Sequence, residues 1–217
     1  MRAAPPTQGQ RPTQGPRPTQ GPCPTQGPCP RMPEKGPTLT ATALARTETA
    51  WPDRIYELFK RADIRQVGYV PDAGHARLIA RLGADPDIRD VVLSTEEEGI
   101  GLVAGAWLGG QRAALLMQSS GLGNCINMIS LARTCRFPLL MLITMRGEWE
   151  EFNPWQVPMG SIVEPVLRLC DMQVYRVEKP EDVAETVEAA IDLAFNGELA
   201  VAVLLGQRLI GRKQWVK

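Results

Sequence analysis

The chain has 217 residues, of which 44% are hydrophobic and 22% are charged, and its 24 basic side chains balance its 24 acidic ones. This composition is typical of a globular protein. No stretch approaches the roughly eighteen apolar residues of a membrane span, and zero net charge argues against a broad nucleic-acid-binding surface. Five cysteines without a CxxC pair favour neither a disulfide scaffold nor a four-cysteine zinc site, and they predict reduced thiols in a cytoplasmic protein.

Residues 1–37 have the composition of a low-complexity tail. They hold eleven of the nineteen prolines, and PTQG recurs four times with a period of six residues. A segment this poor in aliphatic residues cannot bury enough apolar surface to offset the entropy of ordering it, so we expect a disordered Pro/Gly/Gln-rich tail. A start assigned too far upstream of Met32, a weak interaction arm and a transit peptide all stay open as its explanation.

Residues 38–217 are predicted to form one domain in which helices and strands alternate. The apolar residues Ile55, Leu58, Phe59 and Ala62 have the spacing of one helix face. Similar patterns predict, in chain order, helix 52–63, strand 66–70, helix 73–82, strand 90–93, helix 96–108, strand 113–117, helix 122–134, strand 139–143, a long loop at 145–160, a helix near 160–170, strand 173–177, a long helix opened by Pro180 and ended by Asn196-Gly197, and strand 199–205.

The strands indicate the fold class. Six strands are separated from one another by helices, and runs such as LLMLI and AVAVLL are apolar without alternation, so both of their faces are expected to be covered. Such strands are typical of a parallel sheet between layers of helices. The sequence therefore predicts an α/β three-layer sandwich with a six-stranded, mainly parallel sheet.

Polar residues follow four of the predicted strands. The segments are 70–72 (VPD), 94–96 (STE), 118–120 (QSS) and 144–146 (TMR). In an open parallel sheet, ligands bind outside the carboxyl ends of the strands, and all four segments are expected on that one edge. The sequence therefore predicts a site where they meet.

Three consecutive acids, Glu96, Glu97 and Glu98, begin a predicted helix at this edge. Acids in a first turn stabilise a helix through its dipole, and that role alone would explain them. The helix continues, however, with small residues in the run GIGLVAGA, which have poor helix propensity but permit close packing. Close packing beside a carboxylate indicates a buried acid.

Other candidates near the edge each have a structural alternative. His75, the single histidine, is a proton donor, a substrate contact, or a helix-surface or capping residue. Arg146 suits recognition of an anion through its forked donors, or pairs with one of Glu148, Glu150 and Glu151.

Cys125 is expected to be a small core residue, since no basic partner is evident. The loop SSGLGN (119–124) allows backbone amides to approach a ligand or is a simple tight turn, and it lacks both GxGxxG and GK[ST].

Three motifs in order, TEEEGIGLVAGAWLGG, ALLMQSSGLGNCINMISLA and FPLLMLITMRG, resemble the pyrimidine-binding (Pyr) domain of thiamine-diphosphate-dependent decarboxylases. The likeness is closest to sulfopyruvate decarboxylase α subunits, extends to the N-terminal part of phosphonopyruvate decarboxylases, and covers roughly residues 50–205. It implies that residues 38–217 are a Pyr domain and that the chain acts as a carboxy-lyase on a small 2-oxo acid.

The resemblance also implies roles for individual residues. Glu96, nine residues before Gly105, would be the catalytic acid that hydrogen-bonds N1′ of the cofactor's aminopyrimidine. The cofactor site would include Pro71, Ser119 and Asn124 as well. Relatives read QNSGLGN where this chain has Ser119, a difference that could alter substrate preference. The substrate side would be formed by Asp72, His75, Gln118 and Arg146.

A missing motif predicts a partner. Relatives hold Mg²⁺ and the diphosphate on a second domain that carries GDG, and no GDG occurs in this chain. The resemblance therefore implies a hetero-oligomer in which a separate β subunit supplies the diphosphate-binding (PP) domain, with no metal ligand on this chain. Two alternatives stay open: a non-catalytic Pyr-like regulatory or assembly subunit, and an unrelated flavodoxin-like nucleotide binder.

Overall fold

A computed structural model describes residues 50–211 of the chain. The tail predicted at 1–37 lies outside the described residues, as do residues 38–49 and 212–217. No helix among the described residues is long and apolar enough to cross a membrane.

Helices and strands alternate along the described chain. They are α1 (Trp51–Arg61), β1 (Ile64–Tyr69), α2 (Ala76–Gly83), β2 (Arg89–Val92), α3 (Glu96–Leu108), β3 (Arg112–Gln118), α4 (Leu122–Cys135), β4 (Leu139–Thr144), α5 (Gln156–Leu169), β5 (Gln173–Val177), α6 (Val183–Gly197), β6 (Ala200–Leu205) and α7 (Gln207–Ile210). Short 3₁₀ turns at Ala73–His75, Ser119–Gly121 and Pro180–Asp182 precede α2, α4 and α6.

The six strands form one sheet in the order β2-β1-β3-β4-β6-β5. Every neighbouring pair is parallel, which confirms the predicted sheet. All strands therefore end at the same edge, and the segments that follow them are brought together there.

Helices cover both faces of the sheet, so the three-layer prediction is also confirmed. On one face α1, α2 and α6 pack on alternate residues of the central strands, such as Leu116 and Leu142. On the other face α3, α4 and α5 pack on the intervening residues, such as Leu115 and Met141. Burial on both faces explains why the central strands are apolar at consecutive positions.

Three local predictions differ from the structure. The irregular stretch ends earlier than expected, because α5 begins at Gln156; Pro158 lies in its first turn, where a missing N–H costs no helical hydrogen bond. The left-handed residue that ends α6 is Glu198 (φ 52°), not a glycine. The short helix α7 was not predicted.

Candidate active site

The ends of β1, β3 and β4 are joined by hydrogen bonds centred on Asp72. Its Oδ1 accepts a hydrogen bond from Gln118 Nε2 (3.0 Å), and its Oδ2 accepts one from Thr144 Oγ1 (2.6 Å) and one from Gly74 N (3.2 Å). These residues lie at the ends of different strands and meet only because the strands are parallel. The predicted convergence is therefore present for three of the four strand ends, whereas among the described residues the segment 94–96 after β2 makes no hydrogen bond to this network.

Gln118 extends this network to α5. Its Nε2 donates a hydrogen bond to Asp72, and its Oε1 accepts hydrogen bonds from Ser120 Oγ (3.0 Å) and Gln156 Nε2 (3.2 Å). The Oε1 atom of Gln156 is buried and has no hydrogen-bond partner among the described residues. The network thus presents an acceptor that is left unsatisfied.

Glu96 is buried at the first turn of α3, with 9% of its surface exposed, whereas Glu97 and Glu98 are exposed. Its Oε2 accepts a hydrogen bond from Asn124 Nδ2 at 2.8 Å. Gly121 lies against the carboxyl group, and a Cβ at that position would overlap it. The expectation of a buried acid is confirmed, and Gly121 provides the room for it.

The small residues of α3 have two different environments. A Cβ on Gly99 would overlap the Leu115 side chain, so this glycine permits the close approach of α3 to the sheet. Gly101 and Gly105 are exposed, and a Cβ on either would meet no atom of the described residues within 4 Å. The expected close packing therefore holds for Gly99, while the other two leave backbone exposed along α3.

Gly121→Ala is expected to lower the free energy of unfolding by about 1–3 kcal/mol, because the added methyl group must displace the Glu96 carboxyl or the 3₁₀ turn. Urea unfolding of the two proteins measures this difference. Gly101→Ala is the matched control, and we expect it to raise stability by up to about 1 kcal/mol through helix propensity. Equal effects of the two substitutions would contradict the close approach at Gly121.

Arg146 forms an ion pair with Glu151, one of the three acids that the sequence offered. Its Nε and Nη2 donate to the two carboxylate oxygens at 2.7 and 2.5 Å, and both side chains are largely buried. The backbone N–H of Arg146 donates to the fully buried Ser119 Oγ at 3.1 Å. Ser119 therefore anchors the start of the β4–α5 loop (residues 145–155).

The Glu151 carboxylate is strongly stabilised in its ionised form. The hydrogen bonds from Arg146, with others from the backbone and from Gln207, lower the pKa of Glu151 from 4.5 to about 2. A lowered pKa stabilises the folded protein above pH 4.5, and this contribution is lost as the pH falls from 4.5 towards 2.

We expect Glu151→Gln to lower the free energy of unfolding by up to about 3 kcal/mol at neutral pH. The difference from the wild-type chain should shrink steadily below pH 4.5, which chemical unfolding at several pH values measures. Glu188→Gln is the control, because that acid pairs with Arg61 at an exposed site and should contribute less than about 1 kcal/mol. A difference that does not depend on pH would contradict this origin of the stabilisation.

His75 lies beside the site, with its ring in the interior. Its Nε2 is 3.1 Å from the Leu142 carbonyl oxygen, and its Nδ1 has no partner among the described residues. Burial lowers the pKa of His75, so the ring is uncharged at neutral pH. The alternative of a helix-surface histidine is wrong, because the residue is 1% exposed. His75 does occupy the N-cap position of α2, although its side chain makes no cap hydrogen bond.

A cavity of about 130 Å³ opens at the strand ends, lined by Asp72, Ala73, Gly74, Thr144, Arg146, Ile210 and Gly211. Of the predicted substrate-side residues, Asp72 and Arg146 line it and Gln118 is bonded to Asp72.

Pro71 is exposed after β1. Cys125 is buried, and desolvation raises the pKa of its thiol to about 12, in agreement with the expected core role.

Gln207 belongs to the candidate site although no sequence pattern indicates it. This buried residue begins α7, accepts hydrogen bonds from the backbone of Glu148 and Trp149, and donates one to Glu151. No local pattern indicates such a role, because all three partners are more than fifty positions away in the chain.

Among residues 50–211, no group of three or more His, Cys, Asp or Glu side chains could hold a metal ion.

Comparison with known sequences finds no matching family model but several similar proteins. The chain is 36% identical to the sulfopyruvate decarboxylase subunit alpha of Methanococcus maripaludis over an alignment of 154 residues. This alignment covers 70% of this chain and 92% of that protein. The corresponding subunit of Methanocaldococcus jannaschii is 36% identical over 69% of this chain and 89% of its own length. Phosphonopyruvate decarboxylase of Streptomyces viridochromogenes is 34% identical over 68% of this chain and 38% of its own.

Solved structures share the fold at lower sequence identity. A protein from Mycobacterium smegmatis, described as a thiamin diphosphate-dependent enzyme, superimposes with a TM-score of 0.59 at 17% identity over 75% of this chain. Benzoylformate decarboxylase from Polynucleobacter necessarius superimposes with a TM-score of 0.58 at 14% identity over 77% of this chain. This chain covers about a third of each, 31% and 32% respectively.

Proposed function

This chain belongs to the family of sulfopyruvate decarboxylase α subunits, and we propose that it is the subunit of a split thiamine-diphosphate-dependent 2-oxo acid decarboxylase that activates the cofactor through Glu96. Family membership excludes the flavodoxin-like alternative. A non-catalytic role is not favoured, because relatives that match over most of their length are named as subunits of a decarboxylase.

The surroundings of Glu96 fit the aminopyrimidine of thiamine diphosphate. The Glu96 carboxylate is buried, one of its oxygens accepts a hydrogen bond from Asn124, and Gly121 leaves room beside it. A carboxylate held in this way offers a fixed hydrogen-bond partner for a ring nitrogen. In our proposal Glu96 hydrogen-bonds N1′ and exchanges a proton with it, while Pro71 and Asn124 help to hold the ring. Ser119 would act on the cofactor site only indirectly, because its fully buried hydroxyl accepts the Arg146 N–H. When bound, thiamine diphosphate supplies the electron sink that lets a 2-oxo acid lose carbon dioxide.

A partner subunit completes the proposed enzyme. This chain has no GDG motif, and we assign the diphosphate and Mg²⁺ to the PP domain of a β subunit. The exposed backbone at Gly101 and Gly105, together with Leu108 (87% exposed), makes the outer face of α3 suited to close packing against another chain. Because α3 also begins with Glu96, a β subunit packed there would lie next to the helical turn that carries that carboxylate.

We assign substrate binding to the cavity at the strand ends. Asp72 and Gln118 supply polar contacts. Arg146 lines the cavity, and because its Nε and Nη2 are paired with Glu151, we assign its remaining Nη1 to an anionic substrate group. His75 would act on this cavity indirectly, because its buried ring is bonded to the Leu142 carbonyl of β4 behind the strand ends. The substrate class is a small 2-oxo acid, with sulfopyruvate as the first candidate and phosphonopyruvate as the second.

The remaining parts of the proposal concern the whole chain. We propose that residues 38–217 are the Pyr domain and that residues 1–37 are a tail outside it. We also propose a cytoplasmic location, which agrees with the unpaired Cys125, Cys135 and Cys170 among the described residues.

The buried Glu96–Asn124 pair in a chain of this family is the observation that carries the proposal. The experiment is co-expression with the β subunit, followed by measurement of carbon dioxide release from sulfopyruvate with and without thiamine diphosphate and Mg²⁺. We expect release only with both. An intact, cofactor-loaded complex that releases no carbon dioxide from sulfopyruvate, phosphonopyruvate or pyruvate would overturn it.

A further inference from the structure

A single buried side chain ties the β4–α5 loop to the C-terminal part of the described chain. Gln207, 4% exposed, accepts hydrogen bonds at Oε1 from the backbone N–H groups of Glu148 and Trp149, each at 2.9 Å. Its Nε2 donates to Glu151 Oε2 at 2.9 Å. Because one amide satisfies two loop donors and one loop acceptor, a change at Gln207 disturbs the loop at three points.

The Glu151 carboxylate links Gln207 to Arg146, because it is hydrogen-bonded to both side chains. Its oxygens accept hydrogen bonds from Gly147 N (3.1 Å) and Asn153 N (3.0 Å), in addition to those from Gln207 and from the guanidinium of Arg146. A carboxylate held from several directions has one position, and a forked ion pair then gives the guanidinium one orientation. Glu151 accepts hydrogen bonds from Nε and Nη2 of Arg146, and Nη1 of Arg146 does not take part in this ion pair.

The same helix that carries Gln207 also forms a wall of the cavity. Ile210 and Gly211 line it together with Arg146. A displacement of α7 would therefore change the cavity wall and the arginine at once. Asp72 also lines the cavity, and its negative charge opposes anions there. The orientation of Arg146 should thus decide whether a second anionic group is accepted.

We propose that Gln207 is a positioning residue that sets specificity for 2-oxo acids carrying a second anionic group, acting through Glu151 on Arg146. This inference rests on the proposed function and deepens it. Gln207 does not contact the substrate in this scheme. A purely structural role would weaken the binding of all ligands alike, whereas positioning of Arg146 affects only those with the second anion.

The test uses the complex with the β subunit and compares binding of two unreactive probes, 3-sulfopropanoate and propanoate, by calorimetry. We expect Gln207→Met to raise the Kd of 3-sulfopropanoate about tenfold, as for the loss of a hydrogen bond to a charged group, and to leave the Kd of propanoate within about twofold. Gln111→Met is the matched control, because that exposed amide bonds only Gln66 among the contacts described, and it should bind both probes like the wild type.

A double-mutant cycle tests the route through Arg146. In an Arg146→Met background, Gln207→Met should have no further effect on 3-sulfopropanoate binding, because the group it positions is gone. Should Gln207→Met fail to fold, Gln207→Glu replaces it, which keeps an oxygen that accepts the two loop N–H groups but sets a carboxylate against Glu151.

Additive effects in the cycle, unchanged probe selectivity in the single variant, or a wild-type complex that does not bind 3-sulfopropanoate would each overturn the inference. A complex that shows the expected binding cycle but releases no carbon dioxide contradicts the proposed function instead. The two failures are therefore distinguishable.

Discussion

Glu96→Gln is expected to reduce thiamine-diphosphate-dependent carbon dioxide release roughly 100-fold or more, within the range by which general acid–base groups accelerate reactions. Glutamine has nearly the same shape, and its carbonyl oxygen can still accept the hydrogen bond from Asn124 Nδ2. The substitution thus removes the exchangeable proton and the charge while leaving the packing beside Gly121 in place. Steady-state assays of the complex measure the effect.

Two further measurements separate loss of chemistry from loss of structure. Size-exclusion chromatography should show that the Glu96→Gln chain still assembles with the β subunit, and its unfolding curve should match the wild type. Glu185→Gln is the control, because that acid is exposed on α6 in the opposite helical layer and should retain full activity. Full activity of the Glu96 variant would make the chain an assembly subunit without a catalytic role.

Gly105→Arg is expected to weaken association with the β subunit at least about 100-fold while leaving this chain folded. No atom of the described residues lies within 4 Å of a Cβ built at Gly105, so the isolated chain can accept the side chain, and its helix should gain up to about 1 kcal/mol from the lost glycine. At a close-packed interface the same side chain has no room, which costs about 3 kcal/mol. Sedimentation or surface-binding measurements of the pair give the affinity.

The matched control is Ala189→Arg, which adds the same side chain to an exposed position of α6 in the opposite helical layer. We expect this variant to bind the β subunit like the wild type. If Gly105→Arg also binds normally, the outer face of α3 is not the contact surface, and the exposed glycines need another explanation.

Much of the site could be predicted from short stretches of sequence. The acids that begin α3 and the small residues that follow them indicated a buried carboxylate, and Glu96 is buried. The apolar strands with polar residues at their ends indicated a shared edge, and Asp72, Gln118 and Thr144 meet there. These features follow from local composition and from the parallel order of the strands, so no distant contact is needed to infer them.

Other features depend on partners far away in the chain. Sequence spacing left Arg146 with three possible acids, and the choice of Glu151 follows from the path of the β4–α5 loop, which Gln207 holds from beyond β6. The single histidine was equally ambiguous, and its ring is buried because the 3₁₀ turn directs it towards the Leu142 carbonyl of β4.

The sequence alone thus determined the α/β architecture, the strand-end location of the candidate site and the burial of one of the acids that begin α3, because periodicity and composition act over a few neighbouring residues. The tertiary structure decided which polar side chains pair, which glycines make room for another group, and which face of α3 is left exposed. The physical reason is that hydrogen bonds and close contacts between side chains depend on positions in space, and chain folding brings together residues that no local pattern connects.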